Sequence, residues 1–146
     1  AAEDALQEAS LRAFSYLHAL TGPDARPWFL KIVRHTCYSQ LSRRSAQSER
    51  YGFDEEALGH MQFAQGQFSS DPAQALAQQR ERHLVNAAIA ALPPSMREVI
   101  VLREIEGLDY KDISHIAGIP MGTVMSRLSR ARAHLRGILS KQGLLE

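Results

Sequence analysis

The chain has 146 residues, 45% of them apolar and 23% charged, a balance ordinary for a soluble globular protein of one or two small domains with a buried core. Its single cysteine, Cys37, excludes an internal disulfide, and no stretch within it reads as a secretory leader or is long and apolar enough to cross a bilayer. A reducing cytoplasm and no membrane insertion are therefore expected. The net charge of +1 conceals a segregation. Arg26 to Arg50 carries six basic residues against one acid, Tyr51 to Gln79 carries four acids and no Lys or Arg, and Met121 to Lys141 carries five basic residues and no acid.

In chain order, Leu6, Ala9, Ala13, Leu17 and Leu20 recur at helical spacing, which predicts a first helix. The sequence starts at Ala1 already inside that pattern, so a truncation at the start is expected. After the break "TGPDARP", Phe29, Val33, Cys37 and Leu41 form the stripe of a second helix. From about Ser45 to Pro72 the periodicity fades into a stretch rich in Gln, Ser and Gly, which reads as a linker. Asp71 followed by Pro72 is a helix start, with Asp as the cap and Pro in the first turn, and that helix should run to about Ala91 before "LPP".

The remainder is the informative part. "SMREVIVLREIEG" predicts a helix with Met96, Val99 and Leu102 inward, stopped by Gly107. Asp109 caps a short helix "YKDISHIA" with Ile113 and Ile116 toward a core, and Gly118 supplies the positive backbone angle of a tight turn. A last helix starts near Pro120 and buries Val124, Leu128, Ala131 and Leu135. Short helix, glycine turn and longer helix make a helix-turn-helix, whose second helix enters the major groove. The fold class expected is all-α: two small helical modules joined by a linker, the C-terminal one a helix-turn-helix.

On a wheel, the side of the last helix opposite its apolar stripe holds Gly122, Ser126, Ser129, Arg130 and Ala133, with Thr123 at one edge. Small residues allow close approach to DNA, Arg130 suits a bidentate contact to a guanine edge, and Thr123 or Ser126 suits a base or phosphate. Arg127 and Arg132 lie on the flanks, where phosphate contact is expected. Four arginines on one helix are by default a solvated face; the capped short helix and glycine turn before them favour DNA. In the second helix, Lys31, His35, Tyr38 and Ser42 lie opposite the apolar stripe, with Trp28 at the edge and Arg34 nearby. Aromatics interleaved with cations suit unpaired bases. Trp28 either stacks on a base or packs against the preceding helix.

No enzyme is expected. His35 and Cys37 are two apart on a helix, so their side chains diverge and form no nucleophile and base pair. The other histidines have no zinc-site spacing, and no glycine-rich phosphate loop is present. No cofactor and no metal are expected. Cys37 lies on an apolar stripe and reads as a core residue, with redox sensing as the lesser alternative.

The run "LPPSMREVIVLREIEGLDYKDISHIAGIPMGTVMSRLSRARAHLR", with its signature "GIPxGTVxSRLxRAR", closely resembles region four of bacterial sigma factors of the extracytoplasmic-function group. That resemblance spans about residues 81 to 139. "EDALQEASLRAF" and "RPWFLKIVRHTCYSQLSRR", within residues 3 to 44, resemble the later half of region two, whose first part is absent. The resemblance implies residues 1–45 as later region two, 46–80 as an acidic flexible linker and 81–146 as region four. It implies a transcription initiation factor that binds core RNA polymerase, reads the -35 duplex with the helix near 121–135 and captures the melted -10 strand with the helix near 27–43.

The site residues follow from both lines. Lys111, Thr123, Ser126, Arg127, Ser129, Arg130 and Arg132 are expected at the -35 duplex, and Trp28, Lys31, Arg34, His35, Tyr38, Arg43 and Arg44 at the -10 strand. Asp4, Gln7, Glu8 and Arg12 are expected to dock on the polymerase. An anti-sigma factor is a further expected partner, with Phe53, Met61, Phe63 and Phe68 of the linker either aiding that contact or, equally, packing on one of the modules. Two departures bear on promoter preference: Met125 stands where the family commonly has Lys or Arg, and His35 where an asparagine is frequent. The alternative is a freestanding helix-turn-helix regulator, of response-regulator output or repressor type, which would not bring the aromatic and basic helix at Trp28 to Tyr38.

Overall fold

The structure, a computed structural model, describes residues 2–20, 22, 24–51 and 71–143. Among these residues there are helices and turns and no strand: α1 (Ala2–Ser15), a 3-10 turn (Leu17–Ala19), α2 (Arg26–Tyr51), α3 (Pro72–Ala90), α4 (Pro94–Ile100), a π turn (Val101–Ile105), α5 (Tyr110–Ala117) and α6 (Met121–Lys141). By its internal contacts the chain divides into two compact units, Ala1–Gly59 with Ser114–Gly118, and His60–Ile113 with Ile119–Glu146. No described helix is long and apolar enough to cross a membrane.

In the first unit α1 packs on α2. The residues that α1 buries are Ala5, Ala9 and Ala13, one per turn, so small side chains form its inner face. Leu6 and Leu17, expected inward from their spacing, are about half exposed. The register of Ala9 and Ala13 is as expected, but small side chains rather than the large ones fill the seam, since alanines let helix axes approach closely. In α2, Phe29, Val33 and Cys37 are half-buried while Leu41 is exposed. The fully buried residue is Thr36, whose hydroxyl donates to the Ile32 carbonyl oxygen at 2.9 Å and so satisfies itself within the helix. Asp24 accepts from the Arg26 amide at 3.1 Å and opens α2. The helix continues to Tyr51, past the fading of its apolar stripe near Ser45. "SRRSAQSERY" contains no Gly or Pro, and an established helix propagates through such residues.

The second unit holds α3, α4 and α6 against one another. Asp71 caps α3 by accepting from the Ala73 amide at 3.1 Å, with Pro72 in the first turn, as its sequence predicts. Arg97 of α4 donates from Nη2 to the Ala90 and Leu92 carbonyl oxygens at 2.6 and 2.9 Å, which satisfies the open end of α3 and fixes the α3–α4 corner. Leu92, Val99, Ile100, Leu102, Ile113, Val124, Leu128 and Ala131 are buried. The helix expected through "SMREVIVLREIEG" widens into the π turn after Ile100, where the Glu106 amide reaches the Val101 carbonyl oxygen at 3.0 Å. Gly107 then ends it with φ of 69°. Ile100 is buried alongside the expected Val99 and Leu102, and Met96 only half so.

Candidate nucleic-acid interfaces

The helix-turn-helix is set by three local devices. Asp109 accepts from the Asp112 amide at 2.8 Å and starts α5. Arg103 of the π turn donates from Nη1 to the Leu108 carbonyl oxygen at 2.8 Å, and its guanidinium carbon stands 4.9 Å from the Tyr110 ring centroid, so one side chain pins the loop before α5 twice over. Gly118, with φ of 66°, turns the chain between α5 and α6 in the left-handed region that a Cβ disfavours.

The register of α6 follows its apolar stripe. Val124, Leu128 and Ala131 are at most 1% exposed and Leu135 is half-buried, while Gly122, Ser126, Ser129, Arg130 and Ala133 are exposed. Thr123 and Arg127 are half-buried at the edges, and Lys111 stands exposed on α5. Ser126 donates to the Thr123 carbonyl oxygen at 3.1 Å, a bond that leaves its oxygen able to accept. Met125 is 48% exposed, so the departure from a basic residue presents an apolar group on the surface of α6. Arg132 differs from the other arginines. Its Nε and Nη2 both donate to Oε1 of Glu104, at 3.0 and 2.7 Å, and this bonding holds its guanidinium more firmly protonated than usual. Glu104 lies on the π turn, outside the signature run of α6, and nothing in the sequence pattern singled it out.

In the first unit, Trp28, Lys31 and Arg34 are half-buried and His35 and Tyr38 exposed on α2. Arg12, Tyr16, Trp28, Lys31, Ile32 and His35 line a cleft of about 290 Å³. Trp28 thus shares this cleft with Arg12 and Tyr16 of the preceding segment. The Arg34 guanidinium carbon lies 4.5 Å from the Tyr38 ring centroid, one turn away. Arg43 and Arg44 are exposed further along α2.

The four residues expected at the polymerase separate into two pairs. Asp4 and Gln7 are exposed. Glu8 also joins the helices: it accepts from Arg12 Nη2 at 2.6 Å and from Gln40 Nε2 at 2.9 Å, with Arg43 Nη2 at 3.9 Å. The Gln40 hydrogen bond is the main cause that lowers the Glu8 carboxyl below its ordinary value; desolvation opposes it, and Arg12 and Arg43 add to the lowering. Burial raises the Cys37 thiol, which disfavours the reactive thiolate. Among the described residues, no three His, Cys, Asp or Glu side chains gather in a way that holds a metal ion. Phe53, Met61, Phe63 and Phe68 lie outside the described residues.

Comparison with known proteins agrees in both units. Residues 82–135 match the family described as "Sigma-70, region 4". The ECF RNA polymerase sigma-E factor of Escherichia coli strain K12 is 33% identical over 136 residues, which is 88% of this chain and 69% of that protein. The RNA polymerase sigma-H factor of Pseudomonas aeruginosa is 32% identical over 139 residues, 90% of this chain and 69% of the relative. Among solved structures, the sigma factor RpoE of Bartonella quintana, in complex with the anti-sigma factor NepR, superposes with a TM-score of 0.76 at 27% identity, covering 94% of this chain and 80% of that one. Similarity of this extent makes the chain a member of the extracytoplasmic-function sigma factors.

Proposed function

We propose that this chain is a transcription initiation factor that binds core RNA polymerase in the cytoplasm and directs it to specific promoters. Residues 1–45 serve as the later half of region two, 46–80 as the linker and 81–146 as region four. The observation that carries the reading is similarity to sigma factors along 88% of the chain. A freestanding regulator would share only the helix-turn-helix.

In region four, α6 enters the major groove of the -35 element with its small polar face. Arg130 reads a guanine edge, while Thr123, Ser126 and Ser129 approach bases or phosphates. Lys111, Arg127 and Arg132 meet phosphates, which set position rather than sequence. In region two, Trp28, Lys31, Arg34, His35, Tyr38, Arg43 and Arg44 meet the melted -10 strand. Stacking worth ~1 to 3 kcal/mol per base offsets much of the few kcal/mol of unpairing, so α2 favours the open strand without consuming ATP and the polymerase supplies the rest. Asp4 and Gln7 offer the outward polar face for the polymerase, and Glu8 with Arg12 sets the position of that face by fixing α1 on α2. The sigma factor from Bartonella quintana is held by an anti-sigma factor, and an anti-sigma protein covering these same faces is the regulator proposed here.

The test is co-purification of this chain with bacterial core RNA polymerase. The expected result is a stoichiometric complex. Failure to bind core, with duplex binding preserved, would return the helix-turn-helix to a freestanding regulator and withdraw the region-two roles.

A further inference from the structure

Arg132 is the α6 arginine whose phosphate-binding edge already has an occupant. The Nε and Nη2 hydrogens of a guanidinium form the fork that grips carboxylates and phosphates alike. In this chain both converge on Glu104 Oε1, at 3.0 and 2.7 Å. The carboxylate is not a neighbour along the helix: the pair is 28 positions apart in the chain, and the π turn carries Glu104. Arg103, beside it, pins the same turn through Leu108 and Tyr110, so Glu104 is presented from a fixed support rather than from a mobile loop. The side chains are 42% and 50% exposed for Arg132 and Glu104, which leaves the pair open to solvent and to an approaching strand.

We infer that Glu104 is an internal phosphate mimic that occupies Arg132 in the free protein and on arbitrary DNA, and that only a docked α6 exchanges this carboxylate for a DNA phosphate. The inference rests on the reading of α6 as the duplex-binding helix and adds to it a control on one of its contacts. An exposed ion pair of this kind is weak enough to exchange, and a phosphate in the dense charge of a duplex competes well with a single carboxylate. The consequence is selective. A weak approach to arbitrary DNA gains little from Arg132 because the Glu104 contact must first be given up, whereas a docked α6 holds a phosphate close enough to take the guanidinium over. Glu104 thus acts through Arg132 as a positioning residue and lowers non-specific affinity.

The experiment measures binding of the full chain to a labelled duplex of mixed sequence across a salt series, for the parent, Glu104→Gln, Arg132→Gln and the double variant. Glu104→Gln keeps the shape of the side chain and removes its charge. The expected result is about two- to fivefold tighter binding for Glu104→Gln, with the slope of log K against log salt steeper by about 0.9, one additional phosphate contact. Both effects should vanish when Arg132→Gln is already present. Tighter binding that persists in the Arg132→Gln background would make Glu104 a general repulsive charge and overturn the exchange. Weaker binding by Glu104→Gln with an unchanged slope would assign the pair to holding α6 in place, which also overturns it. Loss of all salt-dependent duplex binding by the parent chain would instead remove the reading of α6 beneath the inference.

Discussion

The two units solve the problem of a small helical fold in opposite ways. The second buries large side chains outright: Leu92, Val99, Ile100, Val124 and Leu128 are each at most 2% exposed. The first brings α1 and α2 together over alanines and a threonine, while Leu6, Leu11, Phe14 and Leu17 of the α1 segment remain 51% to 74% exposed. Burying apolar area stabilises in proportion to what leaves water, so methyl groups contribute much less than leucine and isoleucine side chains. The packing of α3, α4 and α6 therefore rests on large apolar side chains. The α1–α2 pair depends more on polar joints, with Glu8 bonded to Arg12 and Gln40 at its centre.

The sharpest way to break this contrast is to empty the larger core. Leu128→Ala removes a side chain 1% exposed and should cost about 2 to 5 kcal/mol, read from denaturant unfolding. Trp28 is the single tryptophan and lies in the first unit, so its fluorescence should shift less than the helical signal does. Equal shifts would mean one cooperative fold and remove the distinction. Next in size are the two DNA-facing predictions, which set the units against each other. Arg130→Ala should lose about 1 to 3 kcal/mol at one base pair and relax preference there; a uniform loss on all duplexes would reassign Arg130 to phosphate. Trp28→Ala should leave duplex binding intact and slow promoter opening by an amount equivalent to ~1 to 3 kcal/mol of lost stacking. Normal opening by that variant would give Trp28 a packing role alone.

The smallest effect lies in the polar joint. The folded-state pKa of Glu8 is lowered, so its contribution is complete above the pKa of the unfolded carboxyl and disappears as pH falls through the folded one. With 30% of its side chain exposed, solvent screening keeps that contribution modest. Thermal midpoints taken from neutral to acid pH should fall less for Glu8→Gln than for the parent chain. Identical acid profiles would mean that the joint contributes nothing to the first unit.

How legible each unit was in the sequence follows from the same difference. In α6, large apolar residues recur every three or four positions, and that period alone gives the buried stripe of Val124, Leu128 and Ala131 with Arg130 opposite. Asp71, Asp109 and Gly118 act as the cap, cap and turn that their chemistry predicts. In α1 the same rule misleads, because Leu6 and Leu17 share the spacing but alanines occupy the seam. A π turn leaves no compositional mark, so neither the register change after Ile100 nor the reach of Glu104 to Arg132 was readable. Hydrogen bonds and salt bridges that cross elements depend on where the elements lie, so the bond from Gln40 to Glu8 leaves no mark in the spacing of either helix.

The most direct test of the account loads core RNA polymerase with this chain and selects from a pool of random duplex fragments those that are opened and transcribed. The prediction is a small set of sequences sharing two elements, with Arg130→Ala changing the preference in the upstream one and Trp28→Ala slowing opening at the downstream one. Transcription no more selective than that of core polymerase alone would contradict the claim that this chain chooses promoters.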